Sequence, residues 1–315
     1  MVKIAFWDNI LGERGTTVAL YDYAYYNQSI LNNTSIILYD STDTRNNQNV
    51  VEKFKKQFVV YGTTHFDQVD KILLDTKCDI FYIIKYGTND HKVSKIIRTV
   101  VHCVFSCAEP HGNIYSAISS IVPHNNGKYP IVPHMINLPD HDRNMRSQLK
   151  IPTGAIVYGR HGGYDQFDIK YVQDVVSIVA KYYSHIYFIF MNTKPFCESL
   201  PNIIHLSTTV SLEEKVAFIN TCDAMLWARS DGETFGLSIG EFSSKNKPIV
   251  CTEIGSLGHK IMLKETALWY DQNTLFKILT TFDKKNMAKK DWNMYKEYTP
   301  ENVMKIFKKV YIPVD

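Results

Sequence analysis

The sequence predicts an α/β protein of two domains, each a parallel sheet under helices, and three observations carry that expectation. Short apolar, β-branched or aromatic runs alternate along the chain with longer helix-like stretches. Many of those runs are apolar at consecutive positions, which suits strands covered on both faces. The alternation lapses once, near the middle, in a segment rich in Pro, His, Asn and Asp, and then restarts. A chain of 315 residues has room for two domains of ordinary size, each able to bury its own core.

The first strand is expected over Val2–Trp7, where Val, Ile and two aromatic residues fall close together. The loop Gly12-Glu13-Arg14-Gly15-Thr16-Thr17 then leads into a helix over Thr16–Gln28, with Thr16 as its candidate cap. Four β-rich runs, Ser35–Tyr39, Phe58–Tyr61, Asp79–Ile84 and Thr99–Phe105, continue the first sheet. Between Pro123 and Pro152 come Pro130, Pro133 and Pro139, so this stretch reads as an extended crossover. A fresh strand at Ala155–Tyr158 opens the second series, followed by a helix over Asp168–Tyr182. Strands at Ile186–Met191 and Ile203–Leu206 precede a helix over Leu212–Asn220. Ala224–Trp227 and Pro248–Cys251 read as strands flanking a helix over Gly236–Ser244. The tail forms a helix over Pro300–Tyr311, since Pro and Glu are favoured in a first turn. The expected domains are 1–138 and 139–290, with 291–315 as a tail.

Composition excludes several classes. A net charge of +3 is too mild for a nucleic-acid binder, which would concentrate its basic residues in a stripe. The lysines at 284–290 and 305–309 read first as solvated helix faces, and second as a patch for anionic lipid or acidic substrate. Six scattered cysteines complete no zinc pattern, and Cys103 falls in an apolar run, so free thiols are expected. The opening MVKIAFWDNI reads as a strand rather than a secretory leader, and no apolar run reaches the roughly 20 residues of a membrane span. A cytoplasmic location is the expectation.

Chemistry concentrates in Arg229-Ser230-Asp231-Gly232-Glu233-Thr234-Phe235-Gly236-Leu237-Ser238-Ile239-Gly240-Glu241-Phe242. A strand, a turn and a helix in succession put a helix N-terminus at the carboxyl edge of a sheet, where α/β proteins hold ligands. Free amides near Thr234–Leu237 suit a phosphate, and Gly236 permits close backbone approach. If both were helical, Glu233 and Glu241 would lie about 12 Å apart along the axis, enough for a diphosphate between them. Each carboxylate could then accept bonds from neighbouring hydroxyls.

This stretch, with Cys222–Ala228 before it and Ser243–Val250 after it, resembles the E-x7-E region of retaining GT-B glycosyltransferases, family 4 in particular. The resemblance covers most of residues 130–275 and implies two Rossmann-like domains facing across a cleft, the tail helix crossing back to the first. It implies that Glu233 contacts a donor sugar, that the backbone of Thr234, Phe235, Gly236 and Leu237 holds a diphosphate, and that Glu241 holds a ribose. A second match, Val157-Tyr158-Gly159-Arg160-His161-Gly162-Gly163-Tyr164-Asp165, resembles the family's strand-end segment that grips the diphosphate through an Arg and a Lys. Arg160 takes the Arg position, but Asp165 stands where the Lys belongs, so Arg229 or Lys260 would have to supply that charge. The Gly162-Gly163 pair reads equally well as a plain βα turn.

Further implied contacts are weaker in pattern. Gly15 and Thr16 lie in a loop resembling the family's N-terminal glycine-bearing loop, which approaches the donor. The loop is not G-x-G-x-x-G, so no dinucleotide fingerprint is present. His102, on a late strand of the first domain, matches a family His that faces the donor sugar, with His111 a lesser candidate; a satisfied core histidine is the competing reading. Leu206 and Ser207 follow a strand where relatives cradle the base. No metal site is expected. The implied function is retaining transfer of a hexosyl group from a nucleoside diphosphate sugar to a hydroxyl of a glycan, lipid-linked sugar or protein, in glycan or polysaccharide synthesis. No cofactor or nucleic acid is implied, and peripheral membrane contact is left open. Two alternatives stand beside it: a catalytically weak nucleotide-sugar binder, and another sugar-nucleotide enzyme such as an isomerase.

Overall fold

The structure is a computed structural model that describes residues 1–312. The chain divides into two compact units, one of Met1–Met135 with the chain from Tyr298 onward, the other of Ile136–Glu297.

In the first unit β1 (Lys3–Asp8), α1 (Gly15–Ser29), β2 (Thr34–Asp40), α2 (Gln48–Gln57), β3 (Val59–Thr63), α3 (Gln68–Asp75), β4 (Ile80–Lys85), β5 (Arg98–Cys103) and β6 (Ile114–Ala117) follow in order. The strands form one parallel sheet ordered β3-β2-β1-β4-β5-β6. Two-sided burial holds in the middle, where β1 and β4 each bury five consecutive residues. It fails at β3, an edge strand whose Val59 is 57% exposed, because an edge has a neighbour on one side only. β6 was not legible in the sequence: Ile-Tyr-Ser-Ala is too short and mixed to signal a strand, and its pairing with β5 makes it one. α1 begins at Gly15 rather than Thr16, with Arg14 at the cap position and no side-chain cap. The threonine that matters there is Thr17, which donates to the buried Asp8 carboxylate at 2.9 Å. α2 owes its start to Asn47, whose side chain accepts from the amides of Asn49 and Val50.

The second unit contains β7 (Ile156–His161), α4 (Lys170–Tyr182), β8 (Ile186–Met191), β9 (Ile203–Leu206), α5 (Leu212–Thr221), β10 (Ala224–Leu226), β11 (Gly232–Glu233), α6 (Leu237–Ser244) and β12 (Ile249–Cys251). It continues with β13 (Ser256–Leu257), α7 (Gly258–Leu263), β14 (Leu268–Trp269), α8 (Leu275–Thr280) and α9 (Lys284–Met287). Six strands make a parallel sheet ordered β14-β12-β10-β7-β8-β9, and β11 pairs with β13 apart from it. Its core gathers Tyr158, Val172, Val176, Phe188, Phe190 and Leu226 from three strands and one helix. The segment before β7 carries no helix or strand between Ile136 and Ala155 and is held by side chains instead. Arg146 pairs with Asp223 at 2.8 Å, and Met145 donates its amide to Thr221 Oγ1 at 2.7 Å.

The tail helix α10 (Pro300–Tyr311) is capped by Thr299, which accepts from the Asn302 amide. It belongs to the first unit, where Phe307 stacks on Tyr23 and the Tyr311 hydroxyl meets Ser116 Oγ at 2.6 Å. Its Lys305, Lys308 and Lys309 are exposed, as solvated helix faces should be. All six cysteines are free thiols. No helix among the described residues is long and apolar enough to cross a membrane.

Candidate functional site

In the second unit β7 lies between β10 and β8, so the chain winds outward from it in both directions. Ligands of open α/β sheets sit beyond the carboxyl ends of the strands at such a switch point. Two segments run into that place: Arg160-His161-Gly162-Gly163 from β7, and Trp227-Ala228-Arg229 from β10.

Glu233 is on the two-residue strand β11, not on a helix, so the helical spacing from Glu241 does not apply. Oε1 accepts the Trp227 indole N–H at 3.0 Å, and Oε2 lies 3.4 Å from Arg229. Burial pushes its pKa above the ordinary value, against the pull of Arg229, the Trp227 bond and Arg160. A carboxylate that keeps its charge under burial does so through such partners. The second side of Arg229 faces Asp231, also at 3.4 Å, while its buried Nε has no hydrogen-bond partner. Arg229 is therefore loosely held.

Gly236 occupies the cap position of α6 with φ 83° and ψ 64°, a left-handed conformation that disfavours any side chain. A Cβ there would lie 3.3 Å from Ile239 and from the Tyr295 hydroxyl, and 3.5 Å from the Cβ of Glu233. No side chain caps α6 and no acid occupies its first turn, so neither offsets the positive end of its dipole. Phe235, Ile239 and Phe242 are buried and hold the helix to the core, whereas Leu237 is only partly buried. Gly258 matters for a different reason. A Cβ there would come within 2.5 Å of the Glu233 carbonyl oxygen, so glycine lets α7 press against the strand that carries Glu233.

Glu241, on α6, is 6% exposed and heads a buried polar cluster. Lys215 Nζ from α5 donates to Oε1 at 2.7 Å, and His161 Nε2 from β7 lies 3.0 Å from Oε2, at ion-pair distance without an aligned hydrogen bond. Burial opposes ionisation of Glu241, yet Lys215 and His161 together hold its pKa down to about 2. Burial lowers the pKa of His161, partly offset by Glu241. Two protein contacts leave lone pairs on this carboxylate for a ligand hydroxyl.

Arg160 is 4% exposed and anchored on both sides, to Thr193 Oγ1 at 2.5 Å and the Gly163 carbonyl at 2.9 Å. Burial lowers its pKa to about 10, with Glu233 opposing and Arg229 assisting the shift, so it stays charged near neutral pH. Asp165, at the position of the missing Lys, is solvent-exposed and pairs with Lys194 at 3.7 Å. Lys260 pairs with Glu253. Of the two stand-ins named from the sequence, Arg229 is the one that shares its surroundings with Arg160 and Glu233.

The remaining candidates lie elsewhere. Leu206 ends β9 and its carbonyl accepts the Asn192 amide at 3.1 Å; Ser207 is exposed in the loop that follows. Gly15 and Thr16 are in the first turn of α1 in the first unit, where the buried Thr16 hydroxyl has no hydrogen-bond partner. His102 departs from the expectation. It is 0% exposed, bonded through Nδ1 to the Tyr82 hydroxyl at 2.6 Å and ringed by Tyr23, Tyr82, His134 and Tyr311. Burial drives its pKa to about 3, so it is a neutral packing residue with no atom presented to a ligand. His111 instead meets Lys85 at 3.1 Å near the end of β4. Sequence reasoning missed Trp227, Thr193, Lys215 and His161 as site residues, since each reaches the cluster from a different strand end or helix.

Two six-stranded parallel sheets with interspersed helices give the chain the fold of GT-B glycosyltransferases. Among solved structures it is similar to a glycosyltransferase from Rickettsia africae ESF-5, at 14% identity over 98% of both chains with a TM-score of 0.70. It is also similar to Anabaena HepE, solved with UDP and glucose, at 14% identity over 98% of both chains with a TM-score of 0.73. A third similarity is to WaaG, a glycosyltransferase involved in lipopolysaccharide biosynthesis, at 11% identity over 98% of this chain and 100% of the other with a TM-score of 0.68. No protein-family model matches the sequence. No curated protein matches it either.

Proposed function

We propose that this chain transfers a hexosyl group from a nucleoside diphosphate sugar to a hydroxyl acceptor, with retention, in glycan synthesis. The observation that carries the reading is one constellation: Arg160, Arg229 and Glu233 around the uncapped N-terminus of α6. Two cations and a helix N-terminus suit a diphosphate, and a carboxylate beside them suits the hydroxyls of the attached sugar. The fold shared with HepE, which has been solved with UDP-glucose, and with WaaG supports the same class of substrate.

In this reading the diphosphate lies against the amides of Thr234–Leu237, with Arg160 as a fixed cation and Arg229 as a mobile one. Arg229 takes the part of the Lys missing at Asp165. As the bond to the sugar breaks, charge grows on the departing phosphate, and the arginines and helix end are already oriented to stabilise it. Glu233 fixes the sugar and Glu241 the ribose, while Leu206 and Ser207 adjoin the base. The departing diphosphate accepts the acceptor's proton on the same face, so the protein supplies positioning rather than a nucleophile. The first unit takes the acceptor. His102 has no part in the chemistry.

The test is a thermal-shift screen against UDP-, GDP-, ADP- and TDP-sugars followed by a transfer assay with whichever stabilises. A bound donor at 100 times its Kd stabilises by about 2.7 kcal/mol, a shift that is easily measured. A protein that no nucleotide sugar stabilises would not be a transferase of this class.

A further inference from the structure

We propose that Trp227 is a positioning residue for Glu233: its indole N–H fixes the carboxylate in the orientation that a donor sugar meets. The inference rests on the reading of Glu233 as the sugar-binding carboxylate. Trp227 follows β10 directly and is 2% exposed. It is fixed at three points. Its carbonyl accepts from the Tyr270 hydroxyl at 2.7 Å, and its N–H donates to Glu233 Oε1 at 3.0 Å. Its ring lies on His259, with centroids 4.4 Å apart. His259 is itself 0% exposed and tied through Nε2 to the Thr252 carbonyl at 2.9 Å.

The other partner of Glu233 is of a different kind. Arg229 stands 3.4 Å from both Glu233 and Asp231, and it is the cation a diphosphate would draw away. Once it turns to the phosphates, Glu233 would be free to rotate unless a second donor held it. An indole has one N–H and no acceptor, so its bond points in one direction only. Trp227 thus holds Oε1 and leaves Oε2 to the sugar. The charged groups facing Glu233 are Arg229, Arg160 and Asp231, and Trp227 is its neutral partner.

The experiment removes that N–H while sparing the packing. Trp227→Phe is the first variant. Replacement of Trp227 by β-(3-benzothienyl)alanine is the second, because sulfur replaces N–H with little change in volume and a folding failure of the first variant then costs nothing. Two readouts are taken. The Glu233 carboxyl is titrated by 13C NMR in the ligand-free protein, where loss of a hydrogen bond to the ionised form should raise the midpoint by about one unit or more. Turnover of UDP-glucose should fall on the order of tenfold with KM and UDP affinity near wild type, and should fall no further when Glu233→Gln is already present. An unmoved Glu233 midpoint in the isosteric variant overturns the proposal, as does an equal loss of turnover with and without Glu233→Gln. A wild-type protein inert toward every nucleotide sugar would sink the transferase reading instead, and the carboxyl titration would still decide the role of Trp227.

Discussion

Replacing Lys215 with Met removes the main counter-charge of Glu241 and keeps most of the packed chain length. The cost can be worked in two ways. Glu241 has its pKa held from 4.5 to about 2, and a shift of that size corresponds to about 3 kcal/mol of stability. Breaking a buried ion pair by deleting one partner costs about 3–5 kcal/mol in general, which agrees. Because the folded pKa lies below the unfolded one, this stability is present above about pH 4.5 and lost as pH falls through about 2. In Lys215→Met the buried carboxylate has only His161, and its pKa should rise. The deficit should therefore be largest near pH 7 and narrow as the solution is acidified. Urea unfolding followed by tryptophan fluorescence suits the measurement, because Trp227, Trp269 and Trp292 belong to the unit that carries the pair. The variant with both Lys215→Met and Glu241→Gln should regain much of the loss, since neither member of the pair then leaves an uncompensated buried charge. A deficit below about 1 kcal/mol at pH 7, or one that does not narrow in acid, would refute the reasoning.

Other outcomes follow from the same site. Glu233→Gln should leave the melting temperature and nucleoside diphosphate affinity nearly unchanged while turnover falls by orders of magnitude; surviving activity would remove Glu233 from the chemistry. Arg229→Ala should weaken nucleoside diphosphate binding and turnover, by about 1.5–3 kcal/mol for a lost charge-assisted bond, whereas Lys260→Ala should change neither in titrations of the two variants. Gly236→Ala should cost about 1–2 kcal/mol in chemical unfolding, because a Cβ is forced into a left-handed conformation. An unchanged stability would mean that the turn relaxes without strain.

Most regular elements were legible from local pattern. The apolar run Ile186–Met191 and the tail helix Pro300–Tyr311 have in the structure the bounds that their sequences imply. A buried parallel strand is written in consecutive apolar residues, and a helix start in its cap and first turn, both short-range signals. Elements whose stability is borrowed escaped this reading. β6 is a strand only because β5 lies beside it, and β11 only because β13 does.

The site divides along the same line. The string from Arg229 to Phe242 announced a turn into a helix with carboxylates and glycine around it, since these lie close together in the chain. What it could not announce is which charges are spoken for. Lys215 is 26 residues from Glu241, and Thr193 is 33 residues from Arg160, yet each pair is in hydrogen-bond contact. His102 shows the converse, since its sequence neighbours fit a strand-end ligand and its tertiary neighbours form a closed aromatic shell. By itself the sequence determined the alternation of strands and helices and the chemistry of one turn, because both depend on residues near in the chain. Tertiary structure decided the ionisation and orientation of each polar group, because those depend on burial and on partners that only folding brings within a few ångströms.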